Sequence, residues 1–276
     1  MSQTPAPAEA AQISAPKASR RGGSRWKAVL LGLILPVVLI AFWEFATRSG
    51  LMPPHRLPAP SSVLQMTYDM ATGGELWGHI GITLYRLFMG FLFGTALALI
   101  LGVIVGSSRL FEQVLDPTLQ AFRNVPALAW VPLFILWWGI GEDSKIILLT
   151  VGVFFPVYLN IVSGIQGVDR KLIEVGKVYG FTRMEIVRRI VLRAAMPSFL
   201  VGIRGGLGLG WMFVVAAELL GAQDGLGYLL TFGQSTSNPT LIVTSIVLFA
   251  VLGKLTDSIL KQLEVRALHW QDRIGK

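Results

Sequence analysis

Uncharged apolar runs occupy residues 28–43, 87–108, 124–141, 146–168 and 225–253. A sixth, residues 194–220, is interrupted only by Arg204 and Glu218, which lie toward its ends. Such runs approach the ~20 residues an α-helix needs to cross a ~30 Å hydrocarbon core, and soluble amphipathic elements do not allow them. The pattern predicts an all-α polytopic membrane protein with six transmembrane helices. Pro126 and Pro132 make the third run short and irregular, which leaves five or seven crossings open.

Between the runs the chain divides simply. Residues 1–25, rich in Ala, Pro, Ser and Gln, are expected to form a disordered cytoplasmic tail, and residues 26–47 the first transmembrane helix. The flank of that helix, Ala41-Phe42-Trp43-Glu44-Phe45, lacks the small-x-small pattern of a cleaved secretory signal, so the segment reads as an uncleaved anchor. Residues 48–83 form an external segment with Pro53, Pro54, Pro58 and Pro60 and a short helix expected near residues 61–70. Residues 84–264 carry the remaining spans, and 265–276 a cytoplasmic tail.

Composition narrows the class. Of 276 residues, 53% are hydrophobic and 14% charged, against roughly 45–50% and about 25% in soluble domains. The net charge of +8 is a matter of sidedness, because short cytoplasmic loops collect Lys and Arg. With the N-terminus inside, the outer segments hold only Arg48, Arg56 and Lys145, while Arg86, Arg204 and Lys254 lie within or at the ends of spans. The other Lys and Arg are all inner, so both termini are expected in the cytoplasm and no nucleic acid is needed to account for the charge. The absence of cysteine excludes disulfides, thiolate zinc sites and thiol catalysis.

Gly90, Gly94, Ala98, Gly102 and Gly106 recur at every fourth residue of the second run, and Gly202, Gly206 and Gly210 repeat the device later. Small residues in register let another backbone approach closely in lipid; glycine is also simply frequent in membrane helices. Catalytic chemistry finds little support. His55, His79 and His269 are isolated, which argues against a metal site. Gly253-Lys254-Leu255-Thr256 lacks the hydroxyl after lysine that a phosphate loop requires, and Gly206-x-Gly208-x-Gly210 follows no strand. No cofactor is implied.

The long inner loop at 169–197 is the most informative segment. Asp169 is a good N-cap, Gly180 a good C-terminal stop, and Thr182 with Glu185 a capping box, so it reads as two helices with a sharp turn. Leu172, Val175, Gly176 and Tyr179 share one face. That face is shaped for a groove in another protein or packs on the chain's own spans.

The same loop resembles the hallmark E-A-A-x3-G loop of ATP-binding-cassette importer permeases. Glu174 matches the glutamate, Val175 and Gly176 stand for the alanines, Gly180 is the glycine, Ile190 and Leu192 match the end, and Pro197 matches a second proline usual in this branch; Arg193 replaces the proline expected after Leu192. Residues 123–141, Gly208-Leu-Gly-Trp211 through Glu218, Gly225-Leu-Gly227-Tyr228 and 252–257 are similar to permeases for aliphatic sulfonates, taurine and nitrate, and closest to the aliphatic sulfonate branch. The resemblance implies a type I (MetI-like) importer fold in the bacterial inner membrane. It also implies a second permease copy, two cytoplasmic ATPase subunits at the coupling loop and a periplasmic binding protein. A stand-alone secondary transporter is the competing class.

For an anionic substrate the pathway needs donors. Asn124, Trp211 and Arg204 are the candidates, Arg204 reading equally as a membrane-interface anchor, and Glu218 is expected to pair or to face the binding protein. Glu174 is read either as a hydrogen-bonding contact to the ATPase or as a partner of Arg170 or Lys177.

Overall fold

The computed structural model describes residues 25–269. The basic residues Lys17, Arg20, Arg21, Arg273 and Lys276 lie outside them, as does all but the last residue of the tail expected over residues 1–25; that residue, Arg25, opens the first helix.

α1 (Arg25–Arg48) contains Pro36 and leads through a turn to α2 (Pro60–Thr72), which contains the expected short external helix. The two are joined at Glu44, whose carboxylate accepts the Ser61 N–H at 3.0 Å and the Ser61 hydroxyl at 2.9 Å. An acid at a helix N-terminus satisfies orphan amides and complements the dipole. α3 (Glu75–Ser107) follows, so the second span begins earlier than its apolar run.

The third run is corrected most. α4 (Arg109–Asn124) is an amphipathic helix that breaks at Val125-Pro126; a 3-10 turn (Ala127–Trp130) and α5 (Val131–Trp138) then continue at 86°. Pro126 has no N–H to extend α4 and biases Val125 toward extended backbone. Val125 has φ −81° and ψ 120°.

α6 (Glu142–Gln166) leads to α7 (Arg170–Val178) and α8 (Arg183–Ile186). A π-helical turn (Val187–Val191) then runs unbroken into α9 (Leu192–Leu219). Pro197 therefore sits inside α9 rather than in the loop expected over 169–197. The last run is split: α10 (Leu226–Ser235) is separated by Ser237, at φ 51°, from α11 (Pro239–Ala267), whose first turn is capped by Asn238. Among the described residues four helices are long and apolar enough to cross a membrane, and the bent pair would make a fifth; adding α1 would make six.

α6 is the centre. The α3 stripe lies against one side of it: a Cβ on Gly94 would stand 2.7 Å from the Thr150 carbonyl oxygen, on Gly102 2.8 Å from Ile161 and on Gly106 3.0 Å from Ile165, while Gly90 faces Leu149 and Ala98 is fully buried. On the other side, a Cβ on Gly202 would stand 2.7 Å from Asn160 and on Gly206 2.8 Å from Val157; Gly210 faces Leu87 and Val153. α6 answers with Gly152 under the Phe213 ring and Gly164 against Ser198. Such backbone proximity multiplies dispersion contacts where lipid gives no hydrophobic drive to pack helices. The flanks stay apolar and open, as Ile34, Leu35 and Phe42 on α1 illustrate.

Candidate functional site

The loop between α6 and α9 is built by local hydrogen bonds. The Asp169 carboxylate accepts the Lys171 N–H at 2.9 Å and starts α7. At the other end Gly180 takes φ +73°, a left-handed conformation that glycine adopts without a Cβ clash. Its N–H donates to the Lys177 carbonyl and the Phe181 N–H to the Gly176 carbonyl, both at 3.0 Å, which together form a Schellman closure. Thr182 then accepts the Glu185 N–H at 3.3 Å, and Glu185 accepts the Thr182 N–H at 3.0 Å. The turn is thereby fixed at both of its ends.

The face of α7 divides in two. Gly176 is buried, and a Cβ there would lie 2.6 Å from Ile190 and 3.3 Å from Ile186; Ile173 and Leu192 pack on the core beside it. Leu172, Val175 and Tyr179 point outward and are joined by Val178, which is 87% exposed. Glu174 is exposed and makes no ion pair with Arg170 or Lys177. The loop thus presents an apolar strip beside a free carboxylate, braced from behind by Ile186 and Ile190. Glycine at 176 is what permits the bracing.

A second constellation, which the sequence reading did not assemble, closes the end of the bundle opposite that loop. Arg86 on α3 donates to both Glu142 oxygens at 2.6 Å, to Glu218 at 2.8 Å and to the Asp224 carbonyl at 2.7 Å. Glu218 also accepts the Thr83 hydroxyl and the Gly227 N–H, each at 2.8 Å, and Lys145 donates to Glu142 at 3.1 Å. Thr83 in turn accepts the Leu226 N–H at 2.9 Å. Four helices, α3, α6, α9 and α10, therefore meet in one network of balanced charge. Gly225, at φ +110°, and Gly227 leave room for the Glu218 side chain. The available signal was a lone arginine four residues before the glycine stripe, together with acids at the start of one other span and the end of another.

The pathway candidates separate. Arg204 donates to Asp257 of α11 at 2.7 and 3.1 Å, with Glu264 at 3.9 Å. Trp211, two turns along α9, donates to the Thr256 hydroxyl at 2.9 Å. Asn124 ends α4 at the bend and shares no hydrogen bond with them. Glu218 is fully buried in the Arg86 network. Among the described residues no three His, Asp or Glu side chains gather as a metal site.

Comparison with known proteins agrees with this architecture. The chain is 43% identical over 87% of its length, and 87% of the relative's, to a Bacillus subtilis protein named as an aliphatic sulfonates transport permease, SsuC. An Escherichia coli protein of the same name is 39% identical over 89% of this chain and 94% of that one. The taurine transport system permease TauC of Escherichia coli is 31% identical over 93% and 96%. Among solved structures, an inward-facing form of the MetNI methionine ABC transporter superposes with TM-score 0.62 at 25% identity, covering 70% of this chain and 95% of that one. An amino acid ABC transporter shares the fold, with TM-score 0.60. Residues 94–269 match the family described as binding-protein-dependent transport system inner membrane component. The chain belongs to that family, the permease subunits of ABC importers.

Proposed function

We propose that this chain is the permease of an importer for aliphatic sulfonates, acting as a homodimer in the bacterial inner membrane with both termini in the cytoplasm. ATP hydrolysis belongs to partner ATPase subunits, and the family's transport depends on a binding protein. The observation that carries the substrate is the 43% and 39% identity, across nearly the whole chain, to two proteins named for aliphatic sulfonates. A taurine carrier is the second reading, favoured by the 31% identity to TauC.

In this reading the outward strip of α7, centred on Val175 and Tyr179, sits in a cleft of the ATPase, and Glu174 accepts hydrogen bonds there. Closure of the ATPase pair moves the loop, and the glycine-packed spans turn that motion into alternating access. Growth on an alkanesulfonate as sole sulfur source tests the assignment: deletion of the chain should abolish growth, and unchanged growth sinks it. Loss of growth on taurine alone would favour the second reading. ATP-independent uptake by the purified chain would instead favour a stand-alone transporter.

A further inference from the structure

A charged side chain within a membrane span is costly against lipid and marks a polar cavity or pathway. Arg204 and Asp257 meet between α9 and α11 while 40% and 33% of their side chains stay exposed. Arg204 follows Gly202 by two residues, and Gly202 packs on Asn160 in the body of α6; the pair therefore lies inside the bundle's height. Arg86 and Glu218, by contrast, are closed off, with 2% and 0% exposure.

The face of α9 beside Arg204 is bare. A Cβ on Gly205 or Gly208 would meet nothing within 4 Å, in contrast to Gly202, Gly206 and Gly210 on the packed side. Arg204 flanks this open backbone strip on the side of α11.

We infer that Arg204 is the anion-binding group of the transport pathway and that Asp257 occupies it between transport events. For its ligand class the inference rests on the sulfonate reading above. A sulfonate presents its oxygens to the planar guanidinium as the carboxylate does, so one replaces the other. Lys254 and Lys261 stand three residues before and four after Asp257 on α11 and offer the displaced carboxylate new partners. Together with Glu264, these groups sum to one positive charge, which a bound monoanion neutralises.

The chain has no cysteine, so Gly208→Cys introduces a single thiol on the open strip. In the assembled transporter in membranes, labelling of the permease by an anionic, sulfonate-bearing thiosulfonate reagent is compared with a neutral one, read by mass spectrometry. Both reagents should react, and adding Arg204→Gln should slow the anionic reagent about tenfold while sparing the neutral one, as expected for a nearby charge in a partly desolvated site. Asp257→Asn, which frees the cation, should speed the anionic reagent. No labelling by either reagent, or equal slowing of both by Arg204→Gln, overturns the inference. The double variant Arg204→Gln with Asp257→Asn removes both charges; an undiminished anion preference there also overturns it. If labelling is charge-selective but no alkanesulfonate is carried, the sulfonate reading fails and the anion site stands. If alkanesulfonate is carried and labelling is blind to charge, the reverse holds.

Discussion

Arg86 and Glu218, 132 residues apart in the chain, meet 2.8 Å apart at the end of the bundle away from the α7–α8 loop, with both side chains sealed from solvent. Arg86 also holds Glu142 and the Asp224 carbonyl; its loss would strand the buried Glu218 carboxylate, while the part-exposed Glu142 keeps Lys145. Removing one partner of a buried pair costs about 3–5 kcal/mol, far more than the pair itself contributes. Arg86→Met should therefore lower the unfolding temperature of the purified chain sharply, and adding Glu218→Leu should recover part of the loss. A single variant as stable as the wild type would contradict the network.

Helix packing makes a paired prediction along α3. Gly94→Ala places a methyl group 2.7 Å from a backbone oxygen of α6 and should destabilise by about 1–3 kcal/mol through overpacking. Gly81→Ala, with nothing within 4 Å, should be neutral or stabilising by up to about 1 kcal/mol through helix propensity. Thermal unfolding in detergent or lipid nanodiscs separates the two.

At Gly180 the backbone sits at φ +73°, where a residue with a Cβ costs roughly 1–2 kcal/mol. The strain is local to the loop. Gly180→Glu should leave expression and membrane insertion intact while co-purification with the ATPase and uptake both fall; intact assembly and uptake would refute docking through this loop.

The two faces of α7 should fail differently. Val175→Glu and Tyr179→Ala change side chains that are 51% and 76% exposed, so chain stability should fall by no more than about 1 kcal/mol while ATPase binding weakens. Gly176→Leu forces a side chain into Ile190 and should loosen the loop itself, visible as faster hydrogen exchange across α7 and α8.

Much of this was readable along the chain because the relevant physics is local or periodic. The capping box at Thr182 and Glu185, the stop at Gly180 and the stripe from Gly90 to Gly106 each follow from short-range geometry. The bend after Asn124 was marked by Pro126, but its 86° angle comes from tertiary placement. What escaped needed partners distant in sequence. Nothing near Arg86 reveals that Glu142 and Glu218 converge on it, and nothing near Gly176 reveals that Ile190 rather than another protein lies against it. The break between α10 and α11 was hidden because residues 225–253 are uncharged throughout and hydropathy does not register a turn at Ser237.

α6 is seamed to α3 on one side and to α9 on the other, and the loop that carries α7 and α8 leaves from α6 and returns into α9. A force on that loop thus enters the same three-helix slab at both ends. The slab resists being prised open, because spreading α6 from α9 would part backbones held at glycine distance. In the importer proposed above, it would therefore turn as one piece, like a lever, with compliance left to the Val125 bend and the Ser237 turn at its margins.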